Sequence, residues 1–374
     1  MKSSLSKNAI IGILGGGQLG RMLAISASRL GFKSHIYDPD QTAPGSQVST
    51  FTTAAPYNDI NALTNFAKSV DIITYEFENI PTLALDAIEN YVSIFPSRNA
   101  LYTSQDRLNE KVFLNNVGLK TAPFFNVESI EDCENAITKI GRKSILKTRR
   151  FGYDGKGQIR LTDDKNPVEI FAQFKNQPCI LEGLINFDLE ISVIGARDQY
   201  GAVSCYDPGE NIHKNGILKT TTVPAKISKK IATDAIILTG KILNALDYVG
   251  VMGVELFVED NGLIVNEIAP RVHNSGHWTQ NGCIIDQFEQ HVRAITGLPL
   301  GDGTRHSNIK MTNILGDDVL NLERFLTNGK SAIHLYGKQD IKPGRKMGHV
   351  NEIYSRSTFH TQPNTKITEI SFFE

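Results

Sequence analysis

The chain has 374 residues, roughly two to three times the usual domain length, so two or three domains are expected. Hydrophobic residues make up 40% and charged residues 21%, proportions that exclude a disordered, fibrous or membrane-spanning chain. Lys plus Arg number 39 against 40 Asp plus Glu, a net charge of -1, so no global positive field draws in nucleic acid or anionic lipid and any anionic ligand must be held by local groups.

A lysine-bearing start and a short apolar run over residues 9–14 lead into glycines rather than a cleavage site, and this run reads as a first strand. The glycine cluster at 15–20 turns the chain into a helical pattern with Met22, Leu23, Ile25 and Leu30 at three-to-four spacing. Strands at 34–38 and 70–75, with a helix at 60–68 between them, complete a parallel βαβαβ unit. Residues 91–96 read as a fourth strand, and the break at 97–99 puts the first domain boundary near residue 104. Beyond it come a helix at 106–117, a strand at 145–148 and a polar, glycine-rich loop at 149–158 between two strands. Strand-like runs at 180–182, 189–194 and 202–206 precede a long helix at 229–246. The clearest hairpin follows: strands at 251–258 and 263–268 joined through Asp260, Asn261 and Gly262. Cys133, Cys179, Cys205 and Cys283 form no CxxC pair and read as free thiols in a reducing cytosol. No apolar stretch reaches the ~18 residues of a membrane helix, so a cytoplasmic protein is expected.

Gly15, Gly17 and Gly20 spell GxGxxG between a strand and a helix, with Asp38 at the end of the next strand, as in a dinucleotide fingerprint. The physical content is more general: glycines let the backbone approach a phosphate, and the helix N-terminus supplies amide donors. Tight strand-to-helix packing is the plainer alternative. The segment FGYDGKGQ at 151–158 sets three glycines around Asp154 and Lys156, just after Lys147. Such a loop can fold over a triphosphate, or simply be a solvated turn. Glu255 and Glu267 fall on the two strands of the hairpin, and a three-residue turn puts them directly opposite each other. Like charges so placed, flanked by apolar residues, repel and lose hydration. A divalent cation removes both penalties, and an oxygen-only set with Asn266 nearby suits magnesium shared with substrate phosphates. Arg271, His273, Asn274, Ser275 and His277 follow that strand, where loops commonly carry site residues. Arg271 has the shape to grip a planar oxyanion, whereas either histidine alone carries little weight. Glu76 and Glu78 in YEFEN lie at the carboxyl end of the third strand, as ligand contacts or as plain helix-terminal acids.

Taken together, GGGQLGR at 15–21, YEFEN at 75–79, GYDGKGQ at 152–158 and NEIAPRVHNSGHWTQ at 266–280 resemble the N5-carboxyaminoimidazole ribonucleotide synthase family of the ATP-grasp superfamily, from end to end of the chain. The resemblance implies an α/β chain with the ATP-grasp fold: an N-terminal Rossmann-like, pre-ATP-grasp parallel-sheet domain at 1–104, a small lid subdomain at 105–185, and an α+β C-terminal domain with the metal site at 186–374. It implies a ligase of de novo purine biosynthesis that phosphorylates bicarbonate with ATP to carboxyphosphate and transfers the carboxyl group to 5-aminoimidazole ribonucleotide. ATP is expected at Arg107, Lys147, Gly152, Tyr153, Asp154, Gly155, Lys156, Gly157, Gln158, Glu182, Gly183, Leu184, Ile185, Glu190, His213, Asn266 and Glu267. Magnesium, with manganese as a substitute, is expected at Glu255 and Glu267. The ribonucleotide is expected at Gly17, Gln18, Leu19, Glu76, Tyr153, Asp154, Lys156, Arg345 and Lys346, and bicarbonate at Arg271, His273, Asn274 and Ser275. Asp154, Arg271, His273 and Lys346 form the expected catalytic set, with Asp154 receiving the amine proton. On this reading Asp38 has no NAD role. A homodimer acting on small molecules, with neither nucleic acid nor membrane as partner, is expected.

Three other readings compete. An NAD-dependent oxidoreductase would use the N-terminal fingerprint but needs neither the acidic hairpin nor the lysine-bearing loop. A nucleotide-sensing module would need no substrate cradle at 271–275. An ATP-grasp formyltransferase would take formate in place of bicarbonate.

Overall fold

The computed structural model describes residues 4–152, 155–161, 167–175, 177–260, 262–326 and 329–356. Its first unit is a parallel sheet built from β1 (Ile10–Leu14), α1 (Gln18–Arg29), β2 (Lys33–Asp38), β3 (Phe51–Ala54), α2 (Ile60–Lys68), β4 (Ile72–Tyr75), α3 (Thr82–Ile88) and α4 (Arg98–Gln105). The strand order is β3-β2-β1-β4. The apolar runs of β1 and β4 are buried on both faces, as parallel strands covered by helices require. Asp59 and Ser97 start α2 and α4 by accepting hydrogen bonds from Ala62 N and Ala100 N. The expected fourth strand at 91–96 is reduced to a single bridge, Ile73 to Ile94, because Pro96 has no N–H with which to extend a ladder. β3 escaped the sequence reading because it is an edge strand, FTTA, with three of four residues exposed and hence no alternation.

The second unit follows α5 (Arg107–Asn116), whose N-terminus Asp106 caps through Leu108 N and Asn109 N. It comprises β5 (Phe124–Val127), α6 (Ile130–Ile140), β6 (Ser144–Thr148), β7 (Gln158–Arg160), α7 (Pro167–Gln173) and β8 (Cys179–Gly183). These strands form a small antiparallel sheet in the order β5-β8-β6-β7. A separate apolar cluster under it includes Val127, Leu146, Phe171 and Leu181.

The third unit is a nine-stranded antiparallel sheet. Its members are β9 (Leu189–Arg197), β10 (Val203–Cys205), β11 (Gly209–Lys214), β12 (Ile217–Val223), then, after α8 (Lys229–Ala245), β13 (Gly250–Glu259) and β14 (Gly262–Ala269). After the short α9 (Thr279–Gly282) and α10 (Gln287–Thr296) come β15 (Asn308–Leu315), β16 (Ser331–Leu335) and β17 (Lys346–Tyr354). The order is β14-β13-β9-β11-β12-β15-β17-β16, with β10 pairing β9. The β11–β12 hairpin carried a turn signal that the sequence reading passed over: Asn215 and Gly216, with φ of 54 and 76 degrees, form the two-residue turn that asparagine and glycine favour.

The acidic hairpin reaches its register by a different route from the one expected. Gly262 pairs with Glu259, so it belongs to β14 and not to a three-residue turn. An uninterrupted ladder from there would bring Asn266 opposite Glu255. A bulge inserts Asn266 as an extra residue, and the pair that results is Glu255 with Glu267. The turn residue Asn261 itself lies outside the described residues.

Candidate active site

A cavity of about 570 Å³ opens where the three sheets converge. The parallel sheet contributes the start of α1 at Gln18 and Leu19, and residues 76–79 after β4; the small sheet contributes Lys147 and the glycine loop. The large sheet supplies Glu190, His213, Glu255, Asn266 and Glu267, and the strand-to-loop segment beyond β14 supplies Arg271, His273 and Asn274.

The β14 bulge is what lets two successive side chains, Asn266 and Glu267, face this space beside Glu255. The bulge residue's carbonyl is not wasted: Lys111 Nζ donates to Asn266 O at 2.8 Å. Burial, and next the proximity of Glu267, push the Glu255 carboxyl up to about 8. Glu267 is also opposed by burial, but Arg107 and Lys147 hold its carboxyl below the ordinary value, and Arg107 Nη1 lies 3.1 Å from its Oε2. Two carboxylates with unequal proton affinity, both partly stripped of hydration, form an oxygen donor set suited to a hard divalent cation.

Around that pair, further ionisable groups are held by partners of opposite charge or by burial. Lys147 Nζ lies 2.9 Å and Lys111 Nζ 3.5 Å from Glu182 Oε2. Burial would raise the Glu182 carboxyl, but the two ammonium groups outweigh it and hold it down to about 2. His213 Nδ1 is 2.8 Å from Glu190 Oε2, and this contact overcomes burial to raise the imidazole above its ordinary value. Arg271 spends its fork on Glu78, with Nε 2.5 Å from Oε2 and Nη2 3.2 Å from Oε1. His273 stands with Nε2 3.6 Å from Glu255 Oε1. Burial, and then Arg271, push its imidazole down to about 3, so the ring is neutral.

The glycine turn is occupied by the chain's own acids. Glu76 accepts from Gly17 N at 2.5 Å and from Gly20 N at 2.7 Å, and Asp38 accepts from Gly16 N at 2.7 Å. Asp38 is thus a support for the turn. Burial raises the Glu76 carboxyl against the pull of those two amides. A side chain at position 17 would meet the Glu76 carboxylate at 2.4 Å, which explains that glycine independently of any ligand.

Of the expected site residues, Gln18, Leu19, Glu76, Arg107, Lys147, Gly152, Gly155, Lys156, Gln158, Glu190, His213, Glu255, Asn266, Glu267, Arg271, His273, Asn274 and Lys346 border the cavity. Gly17, Gly157, Glu182, Gly183, Leu184, Ile185, Ser275 and Arg345 do not. Ser275 is fully buried behind His273. Tyr153 and Asp154 lie outside the described residues. Sequence reasoning missed Phe257, Lys111 and Leu218. Two of them had a signal: Phe257 is two residues beyond Glu255 and shares its strand face, and Lys111 is one helical turn beyond Arg107. Leu218 stands on β12, which had gone unread.

Comparison with known proteins places this architecture. The chain matches the ribonucleotide synthetase preATP-grasp domain over residues 8–105, the ATP-grasp domain over 112–288 and the phosphoribosylaminoimidazole carboxylase C-terminal domain over 310–358. It is 48% identical over 359 residues to the N5-carboxyaminoimidazole ribonucleotide synthase of Brucella melitensis biotype 1, covering 95% of this chain and 99% of that protein. To the enzyme of the same name from Bacillus subtilis it is 40% identical over 373 residues, covering 99% and 96%. Among solved structures, an ADP complex of an N5-carboxyaminoimidazole ribonucleotide synthetase superposes with a TM-score of 0.91 at 38% identity, covering 94% of each chain. An Aspergillus clavatus enzyme in complex with ADP and 5-aminoimidazole ribonucleotide gives 0.87 at 32% identity, covering 95% of each.

Proposed function

The chain belongs to the N5-carboxyaminoimidazole ribonucleotide synthase family of ATP-grasp ligases, and from that premise we propose how its own residues divide the work of carboxylating 5-aminoimidazole ribonucleotide at the expense of ATP in purine biosynthesis. The observation that carries the assignment is the facing pair Glu255 and Glu267 on the wall of a cavity that also presents Lys147, Lys156 and Arg271. ATP lies along the small sheet. Lys147 and the loop at 152–158 meet the phosphates, while Glu182 and the backbone to Ile185 meet adenine and Glu190, steadied by His213, meets the ribose. Support comes from Glu182 Oε1, a buried acceptor with no hydrogen-bond partner among the described residues. Glu255 and Glu267 fit Mg²⁺, which supplies neutralisation of phosphate charge when bound.

Bicarbonate is a poor electrophile because its carbon bears a delocalised anion. Transfer of the γ-phosphoryl group to a bicarbonate oxygen gives carboxyphosphate and ADP. The exocyclic amine of the ribonucleotide then forms a C–N bond, the C–O bond to phosphate breaks, inorganic phosphate leaves, and the amine proton passes to a base. We assign that base to Asp154. His273 Nε2–H faces the cavity as a donor to the acid's oxygens, Asn274 borders the same space with its side-chain amide held in a reciprocal pair with Asn313, and Arg271, already paired with Glu78, adds a fixed positive charge. Gln18, Leu19, Glu76, Lys156 and Lys346, which border the cavity, surround the ribonucleotide, and Arg345 adds positive charge next to Lys346 from outside the cavity wall. Carboxyphosphate is short-lived in water, so the reaction needs a site that closes over it and holds the amine nearby. The divisions near 104 and 185 separate the units that supply these parts, and we propose a cytoplasmic homodimer, which sedimentation of the purified protein would test. Among the described residues no helix is long and apolar enough to cross a membrane.

The test is ADP release from MgATP with bicarbonate and aminoimidazole ribonucleotide added singly and together. Stimulation by the pair is expected. Stimulation by formate in place of bicarbonate would favour the formyltransferase reading, and none by either would remove the assignment.

A further inference from the structure

His273 hangs from a buried scaffold that determines which of its nitrogens bears the proton. Its Nδ1 meets the backbone N–H of Ser275 at 3.4 Å and the Ser275 hydroxyl at 2.8 Å. A backbone N–H can only donate, so Nδ1 is an acceptor and the proton of the neutral ring belongs on Nε2. The Ser275 hydroxyl has one hydrogen, and the structure tells where it goes: Ser192 Oγ, on β9, donates to Ser275 Oγ at 2.7 Å, which leaves the Ser275 hydrogen for Nδ1. Ser192 is 3% exposed and Ser275 fully buried, so solvent does not compete in this relay, and neither residue borders the cavity. Gln287 clamps the backbone at the same point. Its Oε1 accepts from His273 N at 2.9 Å and its Nε2 donates to His273 O at 2.8 Å. With main chain and Nδ1 both held, Nε2 is the ring atom turned to Glu255 and the cavity.

We propose that Ser192 is a positioning residue for the carboxylation reaction, whose hydroxyl acts through Ser275 to fix His273 as an Nε2–H donor aimed at the oxygens of the acid substrate. The other tautomer would present a lone pair to those oxygens and repel them. The inference rests on the role given to His273 above, and the test separates the two. In full-length protein labelled with nitrogen-15 at histidine, with the His273 signals identified by their loss in His273→Gln, the ring is expected to carry its proton on Nε2. In Ser192→Ala the Ser275 hydroxyl is free to turn and accept from Nδ1–H, which leaves only the long 3.4 Å contact with Ser275 N–H to hold the proton on Nε2, so a second tautomer gains population. The kcat for ADP release with bicarbonate and ribonucleotide then falls roughly tenfold while KM for ATP stays within about twofold, as expected for loss of a group behind a working side chain. A proton on Nδ1 in the unsubstituted protein, or a tautomer ratio in Ser192→Ala equal to the parent's, overturns the proposal. A shifted ratio with unchanged kcat would keep the control that Ser192 exerts on the ring and overturn the role of His273 in the reaction.

Discussion

Glu182 sits where two ammonium groups converge, and that convergence explains why Lys111, a lysine with 1% of its surface exposed, is tolerated in the interior. Lys111 serves Glu182 and the Asn266 carbonyl at once. Lys111→Met would leave the Asn266 carbonyl without this donor and Glu182 with Lys147 alone, and a loss of about 2 kcal/mol is expected in denaturant unfolding, the usual cost of leaving a buried polar group unsatisfied. Glu267→Gln makes a different prediction. It removes the acid that raises Glu255 and holds Arg107, so ADP formation should fall by roughly 10²-fold or more while far-ultraviolet dichroism is unchanged. Retained turnover would remove the metal role from that residue.

Between elements, His291 on α10 ties β4 to β13: its Nε2 is 2.7 Å from Thr74 Oγ1, and its Nδ1 accepts from Val251 N at 3.0 Å. The strand before the cavity-lining segment at 76–79 is thereby fixed to the strand that carries Glu255. Burial pushes the His291 imidazole from 6.5 down to about 3, so folding requires the neutral ring. A group with a depressed folded value contributes its full stability above the unfolded value and loses it as pH falls. The free energy of unfolding should therefore decline from pH 6.5 towards pH 3, and His291→Gln should flatten that part of the profile in urea titrations at successive pH values. An unchanged slope would assign the acid sensitivity to other groups.

For the molecule as a whole, the site exists only where three sheets meet, and each holds a separate apolar cluster or a share of one. Ligand that binds across all three must stabilise the folded state by mass action. MgATP at about 100 times its Kd is expected to add roughly 2.7 kcal/mol, read as a rise in the thermal midpoint. Arg149 braces the small sheet to α5, with Nη2 2.7 Å from Asp106 Oδ2. Arg149→Met should raise KM for ATP more than it lowers kcat, because it loosens the sheet that carries Lys147 and the glycine loop while leaving the acidic hairpin in place.

Much of this was written in local pattern. Helix α2 shows its apolar spacing and its capping Asp59 in the sequence, and β13 and β14 show themselves as apolar runs, because both signals depend on near neighbours alone. The motif residues of the cavity were legible for the same reason: NEIAPRVHNSGH holds its chemistry in one short stretch. Residues whose meaning depends on distant partners were not. Glu78 was left undecided until Arg271, far along the chain, was found against it. Glu76 was read as a ligand contact or a plain helix-terminal acid, and only the packing of β4 beside β1 brought its carboxylate onto the amides of Gly17 and Gly20.

Sequence alone therefore determined the elements whose signal is local, such as α2, β13 and β14, and marked the motif residues that border the cavity, since period, capping and turn preference act over a few residues. Tertiary structure decided the rest: the bulge that sets Asn266 and Glu267 beside Glu255, the lysines that hold Glu182 ionised, and the serines behind His273. Each is a balance of burial against a partner supplied by another element, and that balance has no value until the sheets have closed around it.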